Sequence, residues 1–419
     1  MLDDELDREA ISVLERNRRE GEARVPAQVF DFTCPSSSSY PFQWNWDSAF
    51  HAIALSRHNP ARAQAEISTL IAALRPDGFL PHMVLWQEDL RARAAAEFTI
   101  TIDGAGWATT TTQPFVLPTA VERVWQACGD DAWLDHVLRA LVAIARWWRE
   151  RRVVDDSGLV VILRPDESGL DSSPKYDAAL GLAGAPADIG ERWHAAVRAL
   201  FHPSTPPAFI RQDVMVNAIH GHSCRALARL LRARGRSVEA QEWDECADGI
   251  TAALVQRCWD AERGVFDDLH LDSAGTPSRV PVLTTSSLFP LILSDLPAHI
   301  AARLVQALTN PQTFWLPFPV PSVAANEPAF DPDFATGAIF RGSSWVNLNW
   351  YLHLGLHTHG YRDIADDLAR RTRAMVSISG LRECYSPIDA GGHGAQGFSW
   401  SSLVLDLVPN SCSQRIKDN

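Results

Sequence analysis

Apolar residues recur at intervals of three and four along much of the chain, and the stretches that carry this period come in adjacent couples. Residues 112–128 and 131–150, 212–233 and 237–258, 281–293 and 297–309, and 343–358 and 361–377 form such couples, and 60–75 stands as a further helix. Strict alternation is scarce. "GLVVILR" at 158–164 is the clearest strand-like run, and the gaps between helices are rich in Gly, Pro and Ser. Hairpins joined alternately by short turns and long loops predict an all-α fold, one α/α toroid (barrel) with its long loops gathered at one end. No exact repeat marks the units, so the pattern predicts a single domain over 1–419 without fixing the number of pairs.

The unusual residues collect in the loops at 40–47, 78–113, 164–177, 312–345 and 382–400, where a rigid scaffold ordinarily carries its chemistry. Trp125, Trp133, Trp147, Trp148, Trp243 and Trp259 fall on helical stripes and are expected in the core. Trp44, Trp46, Trp86, Trp107, Trp315, Trp345 and Trp400 stand beside polar partners instead. An aromatic ring offers a flat apolar face to the C–H face of a sugar while its neighbours bond the hydroxyls, so this pairing suits a carbohydrate pocket. "YPFQWNWDSAF" at 40–50 is the densest instance, with Asp47 set between Trp46 and an apolar helix start.

Two further loops hold carboxylates. "RPDESGLDSSPKYD" at 164–177 carries Asp166, Glu167, Asp171 and Asp177 where helix propensity is low. Folding Asp171 under an aromatic wall would raise its pKa, as a leaving-group acid requires, whereas an Asx turn accounts for the same composition without chemistry. "LRECYSPIDAGGHGAQGFSW" at 381–400 offers Glu383 beside Arg382 and Tyr385, followed by glycines that let backbone approach a ligand. Taken alone, Glu383 reads as a surface ion pair. Two carboxyls far apart in sequence but facing one pocket are what glycoside hydrolysis needs, one as acid for the leaving group and one as base for a water.

Composition removes other classes. The formal charge of -13 opposes nucleic acid and anionic membranes, and the nearest basic run, "RLLRARGR" at 229–236, alternates with leucines as a solvated helix end does. "RVPVLTTSSLFPLILSDL" is too broken by prolines and polar residues to span a membrane, and "MLDDELDREA" lacks a signal-peptide pattern, so a cytoplasmic protein is expected. Cysteines at 34, 128, 224, 246, 258, 384 and 412 form no CxxC pair and are odd in number, reading as buried thiols rather than a disulfide frame or zinc site. His353, His357 and His359 lack an HExxH frame or a carboxylate ligand, "GAGW" and "GGHGAQG" lack a dinucleotide-loop context, and no GxSxG occurs. No cofactor and no metal are expected. Assembly is open, a homo-oligomer included. A sugar epimerase using two of His51, His82 and His220, and a non-catalytic carbohydrate-binding protein, stand as alternatives to a hydrolase.

"FQWNWDSAFHAIAL", "GFLPHM", "TTQPFVLPTAVERV", "ESGLDSSPKYD", "EPAFDPDF", "FRGSSWVNLNWYL", "RECYSP" and "GFSWSSLVLDL" follow one another in an order that resembles the bacterial branch of glycoside hydrolase family 63. The resemblance runs from about residue 25 to 408 and is strongest to the mannosylglycerate and glucosylglycerate hydrolases. It implies an (α/α)6 toroid and inverting attack on the α-glycosidic bond of a small glycoside. The resemblance makes Asp171 of "SGLD" the general acid and Glu383 the general base, with Cys384 following where the family often has Tyr. Asp47 matches the carboxylate that bonds hydroxyls of the first sugar, and Trp46, Gln113, Arg341 and Trp345 match its other walls. Tyr40, Trp44 and Gln396 sit where those hydrolases contact glycerate. Their Arg and following Tyr, which grip the glycerate carboxylate, have no counterpart in 178–209, where Arg192 is the available substitute. A neutral glycoside therefore stands beside glycosylglycerates as the expected substrate.

Overall fold

Helical hairpins close on themselves into a ring in the computed structural model, which describes residues 2–98, 101–182, 188–200 and 209–408. The helices are α1 (Leu2–Arg16), α2 (Asn45–Ser56), α3 (Pro60–Ile71), α4 (Arg91–Glu97), α5 (Leu117–Cys128), α6 (Asp131–Arg152), α7 (Ile189–Leu200), α8 (Val214–Ala233), α9 (Ser237–Arg257), α10 (Ala298–Leu308), α11 (Val346–Thr358) and α12 (Arg362–Ser379). Two 3-10 segments, Thr285–Ile292 and Ser399–Leu405, take helical places in the ring. Going round the inner wall, α2, α5, α8, Thr285–Ile292, α11 and Ser399–Leu405 each pack on the next, and the last returns to α2. The outer partners are α3, α6, α9, α10, α12 and α1. The fold is the expected all-α toroid.

Closure joins the two ends of the chain. α1 packs on Ser399–Leu405 and on α12, while the Asn17 amide donates to Pro35 O, Gly397 O and Ser399 Oγ at 3.3, 2.7 and 2.8 Å. One continuous apolar core runs from Leu6 to Leu407.

The inner wall explains where the periodic reading stops short. Every residue of α2 is buried, Asn45, Asp47, Ser48 and His51 included, so this helix has no polar stripe to make a 3.6-residue pattern. Its outer partner at 60–75 therefore stands alone in the sequence pattern. The stretch read as a helix at 281–293 is a 3-10 segment, because Pro290 removes a backbone donor and blocks a regular α-turn. "GLVVILR" is not a ladder strand either: Val160 bridges only Val153, and Ile162 only Arg211. The longest ladder instead pairs Arg18–Arg24 with Ala27–Thr33, a charged ribbon whose apolar side is too short to announce itself. α7 falls in a segment read as loop, of which residues 183–187 and 201–208 lie outside the described residues.

Trp147, Trp148 and Trp243 are buried in the core as expected, with Trp125, Trp133 and Trp259 half-buried against it. All six cysteines among the described residues are free thiols; Cys412 lies outside them. No helix among the described residues is long and apolar enough to cross a membrane.

Candidate active site

The long loops meet around a cavity of about 450 Å³. Tyr40, Trp44, Trp46, Asp47, Gln113, Asp171, Trp345 and Glu383 all line it, although they come from opposite ends of the chain. Arg341 and Gln396 do not. Arg341 is buried in an ion pair with Asp177, and Gln396 is exposed on the strand Gly392–Gln396, opposite Arg382 in register.

Asp47 sits in the first turn of α2, whose backbone N–H at Trp46 donates to Gln113 Oε1 at 3.0 Å. Gln113 thus caps the helix end that presents Asp47, besides lining the cavity. The Asp47 carboxyl is held well above the ordinary carboxylate range, chiefly by burial, with Glu383, Asp171 and Glu66 adding repulsion.

The loop 164–177 sorts its four carboxylates by partner. Asp166 accepts from Arg164 Nε at 2.9 Å, and Asp177 is bound by Arg341. Glu167 takes both arms of the Arg152 guanidinium at 2.6 and 2.5 Å and accepts from the Leu163 N–H at 2.8 Å. Asp171 makes no ion pair among the described residues and faces the cavity. Burial first, then the neighbouring Asp166 and Glu383 charges, push its carboxyl up to about 8. Two anchors hold this loop in place. The Trp46 indole packs against Gly169, where an added Cβ would come within 2.3 Å of the ring, and the left-handed φ of +74° there also favours glycine. Behind it, Lys175 Nζ donates to Asp213 Oδ2 at 2.6 Å and Ser286 Oγ at 2.8 Å, and the Tyr176 hydroxyl donates to Asp213 at 2.6 Å, pinning the loop to the inner wall.

Glu383 is aimed by a break in register. The strand Arg382–Tyr385 pairs with Gly392–Gln396, and the register shifts between Arg382 and Cys384, as a bulge at Glu383 produces. Its Oε1 accepts from the Tyr40 hydroxyl at 3.2 Å and its Oε2 from the Ala395 N–H at 2.9 Å. Burial raises the Glu383 pKa while these two bonds, which favour the ionised form, lower it. A Cβ on Gly394 would stand 2.5 Å from Oε2, at a φ of +67°. Gly394→Ala is therefore expected to turn the carboxylate aside and lower kcat by about 10²-fold while the melting curve stays cooperative. Steady-state kinetics beside a thermal melt checks this.

Aromatic rings make the walls. Trp345 stacks on Phe340 with centroids 3.9 Å apart, and Trp400 meets Trp46, Trp345 and Phe398 edge-on or tilted at 5.8, 5.5 and 4.7 Å. The indole N–H groups of Trp44, Trp193 and Trp345 are buried at the cavity without a protein acceptor. Of the seven tryptophans singled out for polar neighbours, Trp44, Trp46, Trp345 and Trp400 reach the cavity. Trp86 does not: its N–H donates to Gln43 at 2.6 Å and its ring stacks on Trp107, while Trp315 lies under Arg371.

Sequence reading missed Trp193 and His194 of α7, Phe98, Phe334 and Phe340, all of which line the cavity. The amphipathic period of α7 was the available signal. His82 lines the cavity with its pKa driven down to about 3 by burial, but His51 and His220 do not line it, so no two of the three histidines considered for an epimerase meet there.

A family model described as the mannosylglycerate hydrolase MGH1-like glycoside hydrolase domain matches residues 40–401. Mannosylglycerate hydrolase of Rubrobacter radiotolerans is 28% identical, over 90% of this chain and 93% of that protein. Mannosylglycerate hydrolase of Thermus thermophilus is 29% identical, over 94% of this chain and 98% of its own. A crystal structure of the GH63 mannosylglycerate hydrolase from Thermus thermophilus in complex with glucose superposes with a TM-score of 0.77 at 29% identity, covering 96% of this chain and 99% of that one.

Proposed function

Because the chain belongs to the mannosylglycerate hydrolase MGH1-like glycoside hydrolase family, we propose that it hydrolyses the α-glycosidic bond of a small glycosylated glycerate, with Asp171 as general acid and Glu383 as general base. It is a glycoside hydrolase, and inversion at the anomeric carbon is its family's course. The whole of 1–419 is taken as one catalytic domain.

The observation that carries the residue roles is the contrast between two carboxyls lining one cavity. Asp171, pushed up to about 8, keeps its proton at neutral pH and can hand it to the departing glycosidic oxygen. Glu383, held by the Tyr40 hydroxyl and the Ala395 N–H, takes a proton from a water that attacks the opposite face of the sugar. Asp47 accepts from sugar hydroxyls, the unpartnered indole N–H groups donate to them, and the rings of Trp46, Trp345 and Trp400 carry the apolar face.

For the glycerate carboxylate, Arg192 of α7 is the cation we assign. It immediately precedes the cavity residues Trp193 and His194 and makes no ion pair with the described residues beyond a longer-range attraction to Asp177. A neutral glycoside is the second reading, favoured by the missing Arg and Tyr of the related enzymes.

The test is hydrolysis of mannosylglycerate, glucosylglycerate and neutral α-glucosides followed by anomer-resolved NMR. Cleavage of a glycosylglycerate to glycerate and the free sugar as its β-anomer, with Arg192→Ala raising KM for that substrate and not for a neutral one, is the expected result. Cleavage of neutral glycosides alone transfers the reading to the second substrate class, and release of the α-anomer removes the assignment of acid and base. The pH profile follows from the same two groups. Asp171 works protonated, so kcat/KM falls as pH rises through about 8. Glu383 works ionised, so kcat/KM falls again on the acid side, at a pH above the ordinary glutamate value.

A further inference from the structure

Away from the cavity, a second cluster of polar groups lies between the inner helix α8 and the outer helix α9. His220 and Cys224 are four apart on α8 and so share a face, and Cys246 meets them from α9. Cys224 Sγ is 4.0 Å from Cys246 Sγ and 3.8 Å from His220 Nε2, and the three donor atoms all lie within 4.8 Å of one another. No disulfide joins the two thiols. His220 and Cys224 are buried, whereas Cys246 is half-buried. None of the three lines the cavity described above.

Two of the three donor separations suit ligands of one ion. Tetrahedral zinc with bonds of about 2.3 Å to sulfur and about 2.0–2.1 Å to nitrogen sets sulfur–sulfur and sulfur–nitrogen separations of about 3.8 and 3.6 Å, within a few tenths of the two distances here. The surroundings also admit a cation. The guanidinium groups whose charge reaches Cys224 are already matched, Arg149 by Glu242 at 2.6 Å and Arg225 by Asp244 and Asp248 at 3.1 and 2.5 Å.

We propose that His220, Cys224 and Cys246 form a binding site for a thiophilic d10 cation, Zn2+ or its analogue Cd2+, that ties α8 to α9. Two sulfur donors and one imidazole select such an ion over hard cations, and three protein ligands leave the fourth position to water or an external ligand. The spacing rules for zinc could not find it, because its ligands come from two helices and follow no CxxC frame.

The test is titration of the reduced, metal-stripped full-length protein with Cd2+, read by the ultraviolet thiolate-to-cadmium charge-transfer band and by competition with Zn2+. One saturable equivalent is expected in the wild type, with a higher melting temperature when the ion is bound. Cys246→Ser and His220→Gln are expected to lose the saturable band while still melting cooperatively and retaining glycosidase activity. Two variants guard against one of them misfolding. Folded wild type with no saturable binding overturns the proposal. So does an unchanged equivalent in both variants, or a Cys224–Cys246 disulfide in mass spectra combined with no metal uptake under reduction.

Discussion

Asp171→Ala is expected to slow cleavage of an unactivated glycoside by about 10²–10⁴-fold, the range over which a positioned acid or base contributes. The loss should depend on the leaving group. A glycosyl fluoride departs without a proton, so the same variant should hydrolyse it far closer to the wild-type rate. Glu383→Ala should fail on both substrates, because the water is then unactivated, and added azide should restore turnover by attacking from the same face and yielding the inverted glycosyl azide. Steady-state kinetics on the two substrate types, with and without azide, separates the roles. If Asp171→Ala lost both substrates equally, or azide restored nothing in Glu383→Ala, the two assignments would not stand.

Arg152→Met is expected to destabilise the fold by about 3–5 kcal/mol, the cost of leaving one charge of a buried pair uncompensated. Arg152 and Glu167 are both almost fully buried, bonded twice to one another, and Glu167 also accepts from the Leu163 N–H. Removing the cation strands Glu167 beneath the loop that carries Asp171. Replacing both members, as Arg152→Met with Glu167→Leu, should recover part of that stability, since the buried charge is then gone. Denaturant unfolding of the two variants measures this. Equal stability of the single variant and wild type would show that the pair does not hold the loop.

The hairpins were legible because the outer helices each show water on one side, so that α6, α9 and α12 carry a polar face and a periodic apolar one. The inner wall was harder to read for the opposite reason. α2 is buried all round, and Ser399–Leu405 is a wholly buried 3-10 segment, so neither displays a period. The membership of Asp171 and Glu383 in one site was legible only through motif resemblance, since 212 positions separate them. Trp193 and His194 were missed because a helix in a loop-like segment was not expected to reach the cavity.

By itself, then, the chain's pattern determined a helical protein of paired segments with its carboxylates and tryptophans in the loops, because periodicity, caps and turn residues act over a few neighbours. Only the tertiary structure decided which of those groups meet. It divided Asp166, Glu167 and Asp177 into ion pairs and turned Asp171 to the cavity; it also brought Tyr40 to Glu383 and separated Trp86 from Trp46. The physical reason is that a carboxyl's role depends on burial and on the charges beside it, and in a closed ring those neighbours come from remote parts of the chain.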